Sequence, residues 1–258
     1  MRSRQITVAD ILSRDRAIIA SCIVATTALA WLYLIHLSGE MSIARSTMEG
    51  MTTAPWTVTD YLFTFGMWAA MMVGMMSPTA TPALLLFSGM QNKADTGDRY
   101  AKMLLFGLGY LIVWTGFSAL AALAQWALHD RAILSMSMAT TSSRLGGLIL
   151  LFAGAYQLTP AKSSCLRQCQ SPLGFLMTNW REGRRGALIM GLKHGKYCLG
   201  CCWALMCVLF VVGVMNLAWV AALTAFILIE KFGRAGSLVA RVGGAAMIVA
   251  GIAVIGAR

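Results

Sequence analysis

The chain is dominated by a series of apolar runs, most of them near the length needed to cross a bilayer, separated by segments that carry almost all of the charge. A helix needs about 20 apolar residues to span the hydrocarbon core. Such runs fall at about Ala17–Leu37, Tyr61–Met90, Ala101–Leu128, Arg144–Thr159, Cys198–Val212, Met215–Glu230 and Val242–Gly256. The fifth and sixth are separated only by Gly213-Val214 and together exceed one crossing, so a tight turn is expected near Gly213–Asn216. Only 12% of the 258 residues are charged and 58% are hydrophobic. A soluble domain uses about 25% charged residues to cover its surface. The expected fold is therefore all-α, a polytopic transmembrane helical bundle forming a single integral membrane domain over residues 1–258.

The formal charge of +11 would suggest a nucleic-acid partner in a soluble protein. Here the charges lie between apolar runs, where they set orientation, so no nucleic acid is expected and the lipid bilayer is the partner. Lys and Arg number four before the first run, one in Ser38–Asp60 and three in Gln91–Lys102. Two follow (Arg131 and Arg144), then seven in Pro160–Tyr197, none in the 213–216 turn and three in Lys231–Arg241. Rich and poor segments alternate throughout, which predicts about seven spans with the N-terminus cytoplasmic. A six-span arrangement, fusing or omitting a short run, remains open but breaks the alternation. Ala28-Leu29-Ala30 resembles a signal-peptidase site, yet the run continues through Trp31–Ile35, too long for a signal sequence, and reads as an uncleaved first span.

Soft sulfur donors are the chemical signature, with 18 Met and seven Cys. On a helix Met67, Met71 and Met75 form one i, i+4 stripe, with Met72 and Met76 beside it. Pro78 and Pro82 follow and remove backbone donors. Flexible core filling would account for the methionines equally well. In the fifth run Cys198, Cys202 and Met206 stack at helical spacing, Cys201 lies one step round, and His194 precedes them. Cys207 points the other way. Cys165 and Cys169, at i, i+4, lie in the most basic segment.

Thiolates and thioethers select soft ions; a mixed Cys/Met set suits Cu(I), while three Cys with His194 would suit Zn(II) as the less favoured alternative. The candidate metal set is thus Met67, Met71, Met72, Met75, Met76, Cys165, Cys169, His194, Cys198, Cys201, Cys202 and Met206. Packing cysteines and a Cys-x-x-Cys redox pair are the other readings. The topology puts these cysteines on the reducing cytoplasmic side, where persistent disulfides are disfavoured. A helix start at Cys198 would stabilise thiolates, and Lys162, Arg167, Lys193 and Lys196 would add positive charge. Glu230 beside Lys231 reads as a helix-end anchor or a functional carboxylate. Met41, Met48, Met51, Met136 and Met138 lack regular spacing, and chance accounts for them. Gly107-Leu108-Gly109 lacks the strand context of a dinucleotide site, and the glycines read as helix-packing positions.

Three stretches together carry a resemblance: Met67–Pro82 with its paired methionines, Tyr156–Pro172 with Tyr-Gln-x-Thr-Pro and two Cys, and Gly195–Glu230 with Cys-x-x-Cys-Cys-Trp-Ala-Leu-Met. They resemble a bacterial family of predicted metal-binding integral membrane proteins, a domain of unknown function suspected of copper handling, over a core of residues 61–232. The resemblance implies a multi-pass protein of the bacterial inner membrane. With the residue reading it gives a non-enzymatic Cu(I)-binding protein that accepts, holds or transfers copper, in a chaperone or transport role, with a copper-delivering or copper-receiving protein as partner. A membrane thiol-disulfide oxidoreductase and a non-catalytic assembly subunit of a membrane complex are the alternatives.

Overall fold

The computed structural model describes residues 8–47, 57–91, 96–130, 142–233 and 235–256. Among these residues the chain is all-helical: α1 (Val8–Thr47), α2 (Val58–Met90), α3 (Thr96–Asp130), α4 (Ser143–Gln157), α5 (Pro160–Gln170), α6 (Pro172–Asn179), α7 (Gly183–Val212), α8 (Leu217–Phe232) and α9 (Gly236–Gly256). Met48, Met51, Met136 and Met138 lie outside the described residues, as does the side chain of Met41.

Local chemistry sets several helix ends. Thr57 and Asp60 form a capping box at the start of α2, each side chain accepting from the other's backbone N–H. Thr159 accepts from the Lys162 N–H at the start of α5, where Pro160 occupies the first turn and lacks only a donor that would be unpaired anyway. α7 gives way to α8 in the turn expected at Gly213–Asn216: Gly213 takes φ 94°, which only glycine adopts freely, and the Asn216 side chain caps α8.

Five stretches, Ala17–Glu40, Val58–Met90, Gly97–His129, Gly183–Val212 and Gly236–Gly256, are long and apolar enough to cross a membrane. The other two expected crossings, α4 and α8, have 15 and 16 residues. At about 1.5 Å per residue they reach roughly 22 and 24 Å, against a hydrocarbon core of about 30 Å. The segment Pro160–Tyr197, read as a basic loop, is instead α5, α6 and the first half of α7. Lys and Arg are good helix formers, so their density marks an aqueous setting without breaking the helix.

Glycines draw two helix pairs into backbone contact. A Cβ on Gly154 would strike the Gly244 carbonyl at 2.6 Å, and one on Gly147 would meet the Gly251 carbonyl at 2.8 Å, which seats α4 on α9. Gly109 and Gly191 do the same for α3 and α7, against the Leu188 and Phe106 carbonyls. α2 packs on α1, α3, α6 and α8, whereas α7 packs most closely on α3, α5 and α4. Between α2 and α7 the space is filled by side chains rather than by close backbone approach, and there the sulfur residues collect.

Candidate metal centre

Met67, Met71, Met72, Met75 and Met76 on α2 are no more than 1% exposed, and so are Cys198, Cys201, Cys202 and Met206 on α7. Together with Cys169 of α5 they belong to one contiguous buried cluster. The thiols face one another: Cys201 Sγ lies 3.3 Å from Cys202 Sγ and 4.0 Å from Cys169 Sγ, and donates to the Cys198 carbonyl at 3.1 Å. All are free cysteines. Cys165, half-buried, sets its Sγ against Gly200, one residue before Cys201. α5 therefore lies over the cysteine face of α7 with both of its thiols turned inward. Cys207 stands apart from this cluster, partly exposed, as its helical phase requires.

Cys198 is the junction between α2, α3, α7 and α8. Its Sγ lies 3.8 Å from Thr79 Oγ1, 3.1 Å from the Tyr110 hydroxyl and 2.9 Å from Lys231 Nζ, which donates to it. Lys231 also donates to Thr79 at 3.2 Å, and Tyr110 donates to the Met76 carbonyl at 2.9 Å. His194, one turn before Cys198, is 2% exposed and surrounded by the rings of Phe106, Tyr110 and Phe175. Its Nδ1 has no hydrogen-bond partner among the described residues, so a donor nitrogen is left available inside the protein. Among the described residues no three His, Cys, Asp or Glu side chains already form a closed ligand shell; thioethers or thiol rotation would have to complete one.

Two expectations about charge are corrected. The Cys-x-x-Cys-Cys segment does not open a helix, because α7 begins at Gly183 and Cys198 lies in its interior. Helix-dipole stabilisation fades within the first turn and does not reach it. Nor do Lys162, Arg167, Lys193 and Lys196 supply cations to the thiols. Lys162 is 1% exposed and gives its ammonium to Glu230 at 2.8 and 2.9 Å; Arg167 donates to Ser164 and Lys193 to Asn179. The cation at the sulfur is Lys231. Glu230, also 1% exposed, is neither a surface anchor nor a partner of the thiols. It accepts from Gln157 as well as Lys162, and its carbonyl accepts from Gln170 at 2.8 Å. Lys162 also donates to the side-chain amide oxygen of Gln157.

Outside the five stretches long and apolar enough to cross a membrane, burial pushes the Cys165 thiol up from its ordinary value. Cys169 is pushed well above the ordinary thiol range, first by its hydrogen bonding with Cys198 and further by burial. Both are therefore protonated near neutral pH, and a metal that takes either sulfur must release a proton.

The sequence profile of the copper chaperone family PpoB2 matches residues 65–254. The chain belongs to this copper chaperone family. The match runs from before Met67 to beyond Lys231 and so contains every sulfur residue of the cluster. Membership suggests that the protein handles copper, a soft cargo in agreement with a thiol and thioether donor set. No curated protein and no solved structure is detectably similar to it. In this chain, Lys231, Tyr110 and Thr79 are the residues at the cysteine cluster that sequence reasoning missed. Lys231 had one signal, a basic residue directly following an apolar run and an acid, which is costly inside a bilayer. Tyr110 and Thr79 had none, since both sit within apolar runs without a spacing that links them to Cys198.

Proposed function

We propose that this chain is a multi-pass protein of the bacterial inner membrane that accepts, holds and hands over Cu(I), with no enzymatic step of its own. In this reading the whole chain, 1–258, is one integral membrane domain with seven crossings and a cytoplasmic N-terminus. α4 and α8 serve as short spans, the mismatch taken up by local thinning and flanking residues. The partner is a soluble or membrane protein that delivers copper to the cluster or receives it.

One observation carries the reading: four thiols from α5 and α7 meet beside the thioethers of α2 within a single buried cluster. Thiolates bound at about 2.3 Å in a tetrahedral shell stand roughly 3.8 Å apart, and the spacings of 3.3 and 4.0 Å here bracket that value. The thioethers favour Cu(I) over Zn(II), which gains little from them. Redox pairing of the two adjacent cysteines is not favoured. Cα atoms of neighbouring residues are about 3.8 Å apart, and a disulfide usually spans about 4.4–6.8 Å.

The test is metal analysis of the full-length protein purified without oxygen, beside a variant with Cys198, Cys201 and Cys202 all changed to Ser and a Cys207→Ser control. Copper should accompany the wild type and the control and fall to background in the triple variant. Equal copper in all three, or zinc alone, would overturn the proposal.

A further inference from the structure

A second concave site lies away from the sulfur cluster, where α5 and the N-terminal turns of α9 meet the end of α4. It is a cavity of about 370 Å³. Its lining includes Arg167, Ser163 and Gln170 from α5 and Ser237 and Arg241 from α9, with Lys162 behind them. The charge in it is unbalanced. Glu230 occupies Lys162, but Arg167 donates only a long bond, 3.5 Å, to Ser164, and Arg241 has no carboxylate partner among the described residues. No acid is among the lining residues.

A basic surface by itself would follow from topology, since segments on this side of the membrane are basic anyway. A cavity that sets two guanidinium groups beside the Ser237 hydroxyl is a more specific feature; the Ser163 hydroxyl and the Gln170 amide in the same wall already donate to the Pro160 and Glu230 carbonyls. Guanidinium forks match phosphate oxygens with paired, charge-assisted hydrogen bonds. Depth indicates which phosphate. α9 is long and apolar enough to cross a membrane and begins at Gly236, so Ser237 and Arg241 stand in its first two turns, at the level of lipid headgroups. Leu158, which also lines the cavity, is 50% exposed, and Leu238 and Val242, next to Ser237 and Arg241, are 59% and 61% exposed. A ligand that fits has an anionic head for the arginines and apolar chains that run past Leu158 onto the exposed apolar surface of α9, where Leu238 and Val242 lie outside the cavity itself.

We infer that the cavity between α5 and α9 binds the phosphate of an anionic phospholipid. Basic pockets between helix ends on the cytoplasmic side recognise such headgroups, and the anionic leaflet supplies them in excess. The site rests on the membrane reading proposed above and is independent of copper. Because Lys162 in its wall reaches Glu230 and Glu230 adjoins Lys231, the bound lipid would sit behind the helices that carry the cysteine cluster and brace α5 against α9.

Native mass spectrometry of the delipidated full-length protein tests this, titrating phosphatidylglycerol against phosphatidylcholine. Wild type should retain phosphatidylglycerol at least about tenfold better. Arg167→Gln with Arg241→Gln should lose that preference, while a control with the same charge loss, Arg185→Gln with Lys196→Gln, should keep it. Ser237→Glu, which sets an anion at the mouth one helical turn from Arg241 and able to pair with it, should abolish binding as well. Equal retention of the two lipids, an undiminished double variant, or an equal loss in the control would overturn the site. Inorganic phosphate at millimolar concentration that binds without lipid and displaces it would assign the cavity to free phosphate instead, overturning the lipid assignment. Failure of the membrane reading is distinguished separately: the protein would then be extracted from membranes by carbonate, whatever its lipid binding.

Discussion

Replacing Glu230 by Gln would leave the Lys162 ammonium inside the protein without its counter-charge. Both side chains are 1% exposed, so water reaching Lys162 from the cavity it backs would only partly replace the lost carboxylate. Lys162 would lose the counter-charge and one of its contacts of 2.8 and 2.9 Å, keeping an uncharged amide oxygen at position 230 and Gln157. Removing one partner of a buried pair costs about 3–5 kcal/mol, and Lys162→Met, which strands the carboxylate against Gln157 alone, should cost a similar amount. The double variant Lys162→Met with Glu230→Gln has no stranded charge. Replacing a whole buried pair by neutral groups is often close to neutral, so it should be more stable than either single variant, with a coupling of several kcal/mol in a double-mutant cycle. Equilibrium unfolding in mixed micelles of rising dodecyl sulfate content, followed by tryptophan fluorescence, reads all four proteins. Additive costs, or single variants within about 1 kcal/mol of wild type, would refute the reasoning, because the pair would then not be a desolvated unit joining α5 to α8.

Changing Met71 and Met75 together to Leu keeps side-chain volume and should cost under about 1.5 kcal/mol, so the fold should persist while copper per protein falls; unaltered copper would mean the stripe only packs. Under reducing conditions Cu(I) should displace Zn(II), and His194→Ala should weaken zinc more than copper; a nitrogen- or oxygen-rich shell around copper by X-ray absorption would contradict this. Gly191→Val should destabilise by at least about 1–3 kcal/mol through overpacking, since its Cβ would meet the Phe106 carbonyl; wild-type stability on unfolding would count against the α3–α7 contact. A reporter fused after Arg185 should appear cytoplasmic and one near Glu49 outside, and reversal at either place would invert the proposed orientation.

The helical content was legible because apolar length and helix formation coincide in this chain: each apolar run lies on a helix, and the turn at Gly213–Asn216 falls where two runs nearly touch. The helical nature of Pro160–Tyr197 was not, because hydropathy responds to the bilayer and α5, α6 and the first half of α7 carry the charge of a wet segment. The shared faces of the sulfur residues were legible from spacing alone, since Met67, Met71 and Met75, and likewise Cys198, Cys202 and Met206, obey the helical repeat. What spacing does not carry is which faces meet. Lys162 and Glu230 are 68 residues apart, and Lys231 and Cys198 are 33 apart. Lys231 reads as an exposed helix end until the fold buries it at 4% exposure beneath α2 and α7. Tyr110 reads as one more apolar residue until the glycine contact at Gly109 brings α3 close to α7.

In a copper site of the kind proposed, the burial of the sulfurs would govern time as well as affinity. An ion held among Cys198, Cys201, Cys202 and the thioethers would have no water beside it, so it could not leave by gaining hydration. Departure would require an incoming ligand to form its bond before an outgoing sulfur lets go, an associative relay whose rate depends on access rather than on bond strength. Cys165, half-exposed and resting on the residue before Cys201, would be the thiol at which that relay meets the surface. Residence time would then be set by how often α5 admits a competing sulfur, and a tight site would release quickly only to a partner that can reach it.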